Sequence, residues 1–254
     1  MRSPQFTAES SSHGMVERDF TVGGVPGVLW SPASGVDRAP LVLMGHGGGG
    51  HKRHPSMAGR ARLLVTGCGF HVAVVDAPGH GDRPRSAHDE QDIAELRRAQ
   101  AAGEPEGSIV VRHNARLAEL AVPEWRSVLD ALQELPEIGA DGPVGYVGVG
   151  LGTAIGVPLV AIEPRITAAV YVATWPDVLM DAAQQITVPI EFALQWDDER
   201  VPREAGLALF DAFASTEKTL HANAGQHMEL PRFEADSAAR FLARHLGRTH
   251  TPAA

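Results

Sequence analysis

A single cysteine, Cys68, occurs in the 254 residues. That excludes a disulfide framework and any cysteine-based zinc site. Long apolar runs are missing: none approaches the roughly 18–20 residues that a membrane-spanning helix needs, so no membrane partner is expected. Basic residues are in the minority. Lys+Arg number 22 against 31 Asp+Glu, which gives a formal net charge of −9 and a pI near 5.7. A nucleic-acid partner would select a basic face, so none is expected. The opening MRSPQFTAESSSHG has no apolar stretch, unlike a secretory signal, and a cytoplasmic location is the expectation. Low-complexity tracts, internal repeats and interdomain linkers are also missing.

What remains is a chain that is 44% hydrophobic and 21% charged, long enough for one α/β domain with a full core. Short apolar runs bounded by Gly and Pro recur: VPGVLW, APLVLMG, FHVAVVD, PVGYVGVG, ITAAVYVA, VPIEFALQ and EKTLHA. Most are rich in Val, Ile or Leu, as strands covered on both faces are. Helix-like stretches fall between them at 55–67, 89–101, 108–134, 151–162, 203–214 and 232–246. Alternating strands and helices imply a mostly parallel sheet with right-handed crossovers. Residues 1–14 and 247–254 are polar and are expected to be disordered, leaving a domain over 15–246. Segment 81–122 is too long for a plain connection and reads as a lid-like helical insertion, with Pro123 as punctuation.

Five motifs carry chemistry. In LVLMGHGGGGHK a strand runs into His46 and four glycines, whose backbone N–H groups can approach a ligand without side-chain obstruction. Gly48 is thus a candidate oxyanion donor, against the plainer reading of a tight turn. In VAVVDAPGHGDR, Asp76 and Arg83 read as loop-holding residues. In VGYVGVGLGTAIG a strand turns sharply into a helix. Gly-X-Ser-X-Gly at such a turn is a nucleophile elbow, but here the central position is Gly150, which carries no attacking group. IEFALQWDDERVP places Asp198 just beyond a strand, where an acid can orient an imidazole; a solvated acidic turn is the competing reading. LHANAGQHMELP places His227 in the loop before the last helix. The chain order 150, 198, 227 is the nucleophile–acid–base order of one superfamily.

The ordered set HGGGGHK, DAPGHGDR, GVGLGTAIG, DDERVP and AGQH, spanning residues 46 to 227, resembles the α/β-hydrolases, nearest the dienelactone-hydrolase-like branch. The resemblance implies an eight-stranded, mostly parallel sheet with its site at the strands' carboxyl ends. It implies oxyanion donors at Gly48 and Leu151, acid Asp198 and base His227, with no cofactor. It also implies a nucleophile at 150, and there the chain departs.

Glycine adopts the positive φ of an elbow freely and leaves room for a water, which His227 could activate. Thr153 and Cys68 do not replace the nucleophile: the first should pack on the sheet, the second lies at the opposite end. His46, His51, His54 and His80 show no His-X-Glu or His-X₃-His pattern on a helix, so no metal is expected. A dinucleotide fingerprint fails because its third glycine would fall on Thr153. Trp175 is a candidate pocket wall, whereas Trp125 fits core packing better.

Three functional readings stand at this level. One is an enzyme on a small ester, lactone or other carbonyl substrate, using His227 and Asp198 without a covalent intermediate. Another is a non-catalytic protein binding a small ligand or partner. The third is a serine hydrolase inactivated by Ser-to-Gly exchange. The partner expected is a small-molecule substrate, with a homodimer possible.

Overall fold

Alternate residues of each central strand serve different cores. In Leu41–Gly45 (β4), Leu41 and Leu43 pack into one helical layer and Val42 and Met44 into the other. Side chains alternate across a strand, so a strand covered on both faces must be apolar throughout. This is why the runs read as continuous. The computed structural model describes residues 3–35, 38–172, 174–227 and 229–251.

In chain order the other strands are Gln5–Ser12 (β1), Met15–Val22 (β2), Val25–Pro32 (β3), His71–Val75 (β5), Val144–Gly148 (β6), Ile166–Val172 (β7), Ile190–Gln195 (β8) and Lys218–Asn223 (β9). The helices are Pro55–Cys68 (α1), Ala87–Ala102 (α2), Gly107–Gln133 (α3), Leu151–Ile162 (α4), Met180–Ala183 (α5), Arg203–Ala212 (α6) and Phe233–His245 (α7). The sheet order is β1-β2-β3-β5-β4-β6-β7-β8-β9. From β5 to β9 neighbours are parallel, and β1, β2 and β3 add antiparallel. Helices α1 and α7 cover one face, and α3, α4 and α6 the other.

The architecture is the expected α/β sheet covered on both faces, with one correction at its edge. The sheet has nine strands, not eight. The ninth, β1, falls in the segment 1–14 expected to be disordered. Two tight hairpins build this edge. His13-Gly14, with φ of 51° and 78°, joins β1 to β2, and Gly23-Gly24, with φ of 61° and 88°, joins β2 to β3. Two-residue loops with both φ positive match the twist of paired strands. Backbone pairing holds β1, whose eight residues are all exposed, with Phe6 adding an edge-on contact to Phe20 and a place under Arg18; the strand offers no apolar alternation to read. The tail is also corrected in part. The N–H of Arg248 bonds the carbonyl of Ala243, and that of Thr251 bonds Gly67 on α1.

The insertion consists of α2 and the first half of α3. A capping box opens α2: Ser86 accepts from the Asp89 N–H while the Asp89 carboxylate accepts from the Ser86 N–H. Pro123 does not end α3 but sits inside it. Beyond it, Trp125, Val128, Leu129 and Leu132 are buried under the sheet, and this packing outweighs the one backbone bond that proline forfeits.

Candidate active site

The turn from β6 into α4 is built by close backbone approach. A Cβ on Gly152 would lie 2.1 Å from the carbonyl oxygen of Gly45, and one on Gly148 would lie 2.7 Å from that of Gly152. Only glycine fits either position. The hydroxyl of Tyr146 locks the turn by donating to the Gly152 carbonyl at 2.6 Å. Gly150 sits at the apex with φ 53° and ψ −108°. Its missing Cβ would meet nothing nearer than the Cα of Gly47, at 3.8 Å. The turn therefore carries a positive-φ apex, with open space where a side chain would project. Gly152 N–H bonds Val149, and the N–H groups of Thr153 and Ala154 bond Gly150. Among the described residues the N–H of Leu151 has no backbone acceptor, as expected in a helix's first turn.

Asp198 and His227 meet at the cavity that Gly150 also lines. The His227 Nδ1 lies 2.9 Å from Asp198 Oδ2, and Asp198 Oδ1 accepts from the N–H groups of Arg200 and Val201, both at 2.9 Å. The two loops are stitched by Trp196 N–H to Asn223 (2.6 Å) and Asp197 N–H to Gly225 (3.2 Å). The His227 N–H also donates to Glu199 at 2.8 Å. The Asp198 side chain is 3% exposed and the His227 side chain 18%. With Nδ1–H given to the carboxylate, Nε2 is the basic nitrogen left for a ligand.

The glycine loop after β4 is held from below. His46 donates Nδ1–H to the Gly47 carbonyl at 2.9 Å, and its Nε2 accepts from the Ala77 N–H at 3.1 Å. These partners fix one neutral tautomer. Burial pushes its pKa down to about 4, so it supports the loop as a neutral ring. Asp76 lies beside it, fully buried. It accepts from the N–H groups of Lys52 and Asp82 and from Lys52 Nζ at 2.6 Å. Burial would raise its pKa, but these bonds hold it below the usual carboxylate range. Asp76 and Arg83 hold loops: Arg83 reaches the Asp76 carbonyl and pairs with both oxygens of Glu124.

One cavity of about 420 Å³ joins these parts, within the usual range for small-molecule sites. Gly48, Gly150 and Leu151 line its floor, and His227 and Trp175 one wall. Segment 81–122 supplies the opposite wall, with Ile93, Ile109 and His113 among its residues. Arg200 pairs with Glu106 between α2 and α3, and so ties the acid loop to the insertion. The sequence expected contacts from 81–122 but singled out neither His113, Arg85 nor Arg200. No local spacing marks them; the nearest signal was the Ser86/Asp89 capping box, which places α2 but not its inner face.

The substitutes for a nucleophile stay outside the cavity. Thr153, fully buried, gives its hydroxyl to the Val172 carbonyl at 2.6 Å. Cys68 is buried against α7, and burial pushes its thiol up to about 11. Trp125 packs edge-on to Tyr146 in the core. Among the described residues, Glu191, His221 and Glu234 form a group of potential metal donors, within 4.8 Å of one another. They lie where the first turn of α7 meets β8 and β9 and are already joined by His221 Nδ1 to Glu234 at 2.7 Å and Ser237 to Glu191 at 3.0 Å. None of His46, His51, His54 and His80 belongs to that group.

No family model and no curated sequence matches the chain. Solved structures do. A cold-adapted esterase from an Arctic intertidal metagenomic library, bound to polyethylene glycol, is 30% identical over 95% of this chain and 99% of its own, with a TM-score of 0.75. Dienelactone hydrolase from Anabaena variabilis is 18% identical over 96% and 99%, with a TM-score of 0.65. Acetyl xylan esterase 1 from Thermoanaerobacterium is 16% identical over 96% and 88%, with a TM-score of 0.62. The last two are evidence for the fold alone.

Proposed function

The chain belongs to the α/β-hydrolase superfamily, and from that premise we propose that it hydrolyses small esters or lactones by direct attack of water. His227 acts as general base, Asp198 orients it, and no covalent intermediate forms. The observation that carries this reading is the His227–Asp198 hydrogen bond at the edge of a cavity that also contains the empty apex of Gly150. A ligand carbonyl set against the N–H groups of Gly48 and Leu151 would have its developing oxyanion met by preorganised donors. Water in the space above Gly150 would then lose its proton to His227 Nε2. The esterase named among the similar structures supports the substrate class.

The test is turnover of p-nitrophenyl acetate and small alkyl esters by the purified chain. His227→Ala should lower kcat on the order of 10²–10⁴-fold; unchanged turnover overturns the reading. A second reading is favoured by Gly150 itself: a protein that binds a carbonyl ligand without converting it. Binding without any His227-dependent turnover would select it. Gly150→Ser discriminates the remaining alternative, a lost serine enzyme. The apex has room for the hydroxyl, at about 1–3 kcal/mol of backbone strain. If the dyad is competent, the variant should show burst kinetics and label with a fluorophosphonate, whereas the parent chain should do neither.

A further inference from the structure

A second imidazole–carboxylate pair faces the same cavity. His113 on α3 places Nδ1 3.0 Å from Oδ2 of Asp92 on α2. Their side chains are 17% and 12% exposed, close to the 18% and 3% of His227 and Asp198. Both imidazoles line the cavity, one from the strand ends and one from the insertion. In each, Nδ1 is turned to a carboxylate and Nε2 is left on the other side of the ring; at His113 the Arg116 guanidinium also lies 3.2 Å from Nδ1. The pair is not required to join the two helices. Arg112 and Arg116 reach Asp92 at 3.0 and 3.2 Å, and Arg116 also reaches Asp89 at 2.6 Å. What His113 adds to this network is an imidazole that lines the cavity. A third imidazole, His80, bonds Pro78 through Nδ1, and burial pushes its pKa down; that favours its neutral form.

Resting on the hydrolytic reading above, we propose that His113 is the second proton-transfer residue of the site and protonates the leaving group. The water oxygen bonds the acyl carbon while its proton goes to His227 Nε2. As the tetrahedral adduct collapses, the bond from carbon to the leaving oxygen breaks and its electron pair stays on that oxygen. The proton on His113 Nε2 transfers there. Acid and alcohol depart, and the two imidazoles return to their starting states by proton exchange with solvent. Asp92 is a positioning residue in this scheme.

The leaving group supplies the test. p-Nitrophenolate departs without a proton, whereas an alkoxide needs one. His113→Asn keeps an N–H donor for Asp92 and removes Nε2. It should lower kcat/KM for ethyl and butyl esters on the order of 10²-fold more than kcat/KM for p-nitrophenyl esters. In His113→Ala, added imidazole should restore the alkyl-ester rate. An equal loss on both ester classes, or none on either, overturns the proposal. Turnover that needs His227 and is indifferent to His113 overturns this proposal alone. If the parent chain turns over neither ester class, the hydrolytic reading falls and this one with it.

Discussion

Two aspartates at strand ends are built alike and face different fates. Asp76 follows β5 and Asp198 follows β8. Each is almost wholly buried, each accepts two backbone N–H groups, and each meets one basic side chain. At Asp76 that side chain is Lys52, whose ammonium is itself 6% exposed and shared with Asp82 at 2.5 Å. Every charge there has a partner, and the cluster pins the glycine loop and the turn before the insertion. At Asp198 the side chain is an imidazole, which spends one nitrogen on the carboxylate and keeps the other for the cavity. The difference lies in the nitrogen left over after the fold is satisfied, not in the carboxylate. Gly81 sharpens the contrast. A Cβ there would lie 2.3 Å from the Asp76 carboxylate, at φ 57°, so the glycine lets the turn close directly over Asp76.

Three measurements probe this contrast. The largest effect is expected from Asp198→Asn, which preserves shape but no longer selects the tautomer with Nε2 free. Ester turnover should fall by on the order of 10³–10⁴-fold with the melting temperature nearly unchanged; a loss under tenfold would mean that Asp198 is only structural. Next, Lys52→Met leaves Asp76 buried without its cation, and urea unfolding should register a loss of about 3–5 kcal/mol. A variant as stable as the parent would show that the backbone amides alone suffice. The smallest effect concerns His46. Unfolded, it takes up a proton near its ordinary 6.5; folded, not until about 4. On acidification the unfolded state therefore gains the proton first. This contribution to stability is intact above about pH 6.5 and lost as pH falls toward about 4, by about 3 kcal/mol in all. His46→Gln should remove that slope from a pH series of denaturation midpoints, and a persistent slope would assign it to other groups.

How much of this was legible follows from where each signal lies along the chain. The central strands were plain because two covering layers force continuous apolar runs such as Leu41–Met44. The elbow was plain because Gly148 and Gly152 are demanded by contact with β4 and α4 backbone. Asp198 and His227 emerged from order along the chain, since parallel strands deliver their carboxyl ends to one rim. Strand β1 was hidden because its residues are exposed and backbone pairing, with the single side chain of Phe6 against Phe20, holds it. The pair His113 and Asp92 was hidden for a different reason. It forms across two helices of the insertion, and its register depends on the turn at Glu104–Glu106 rather than on any fixed spacing.

Helix α3 has a mechanical consequence. Its 27 residues make a rod about 40 Å long, carrying Ile109 and His113 at one end and Trp125 and Leu129 at the other. The insertion is therefore not a flap on a hinge but the outer end of a beam clamped in the interior, held at its tip by the Arg200–Glu106 pair. Pro123 marks the place where that beam lacks a rung. Repacking around Trp125 should be felt at the far tip, where Ile109 and His113 line the cavity, so that cavity shape and heat resistance are set through the same girder.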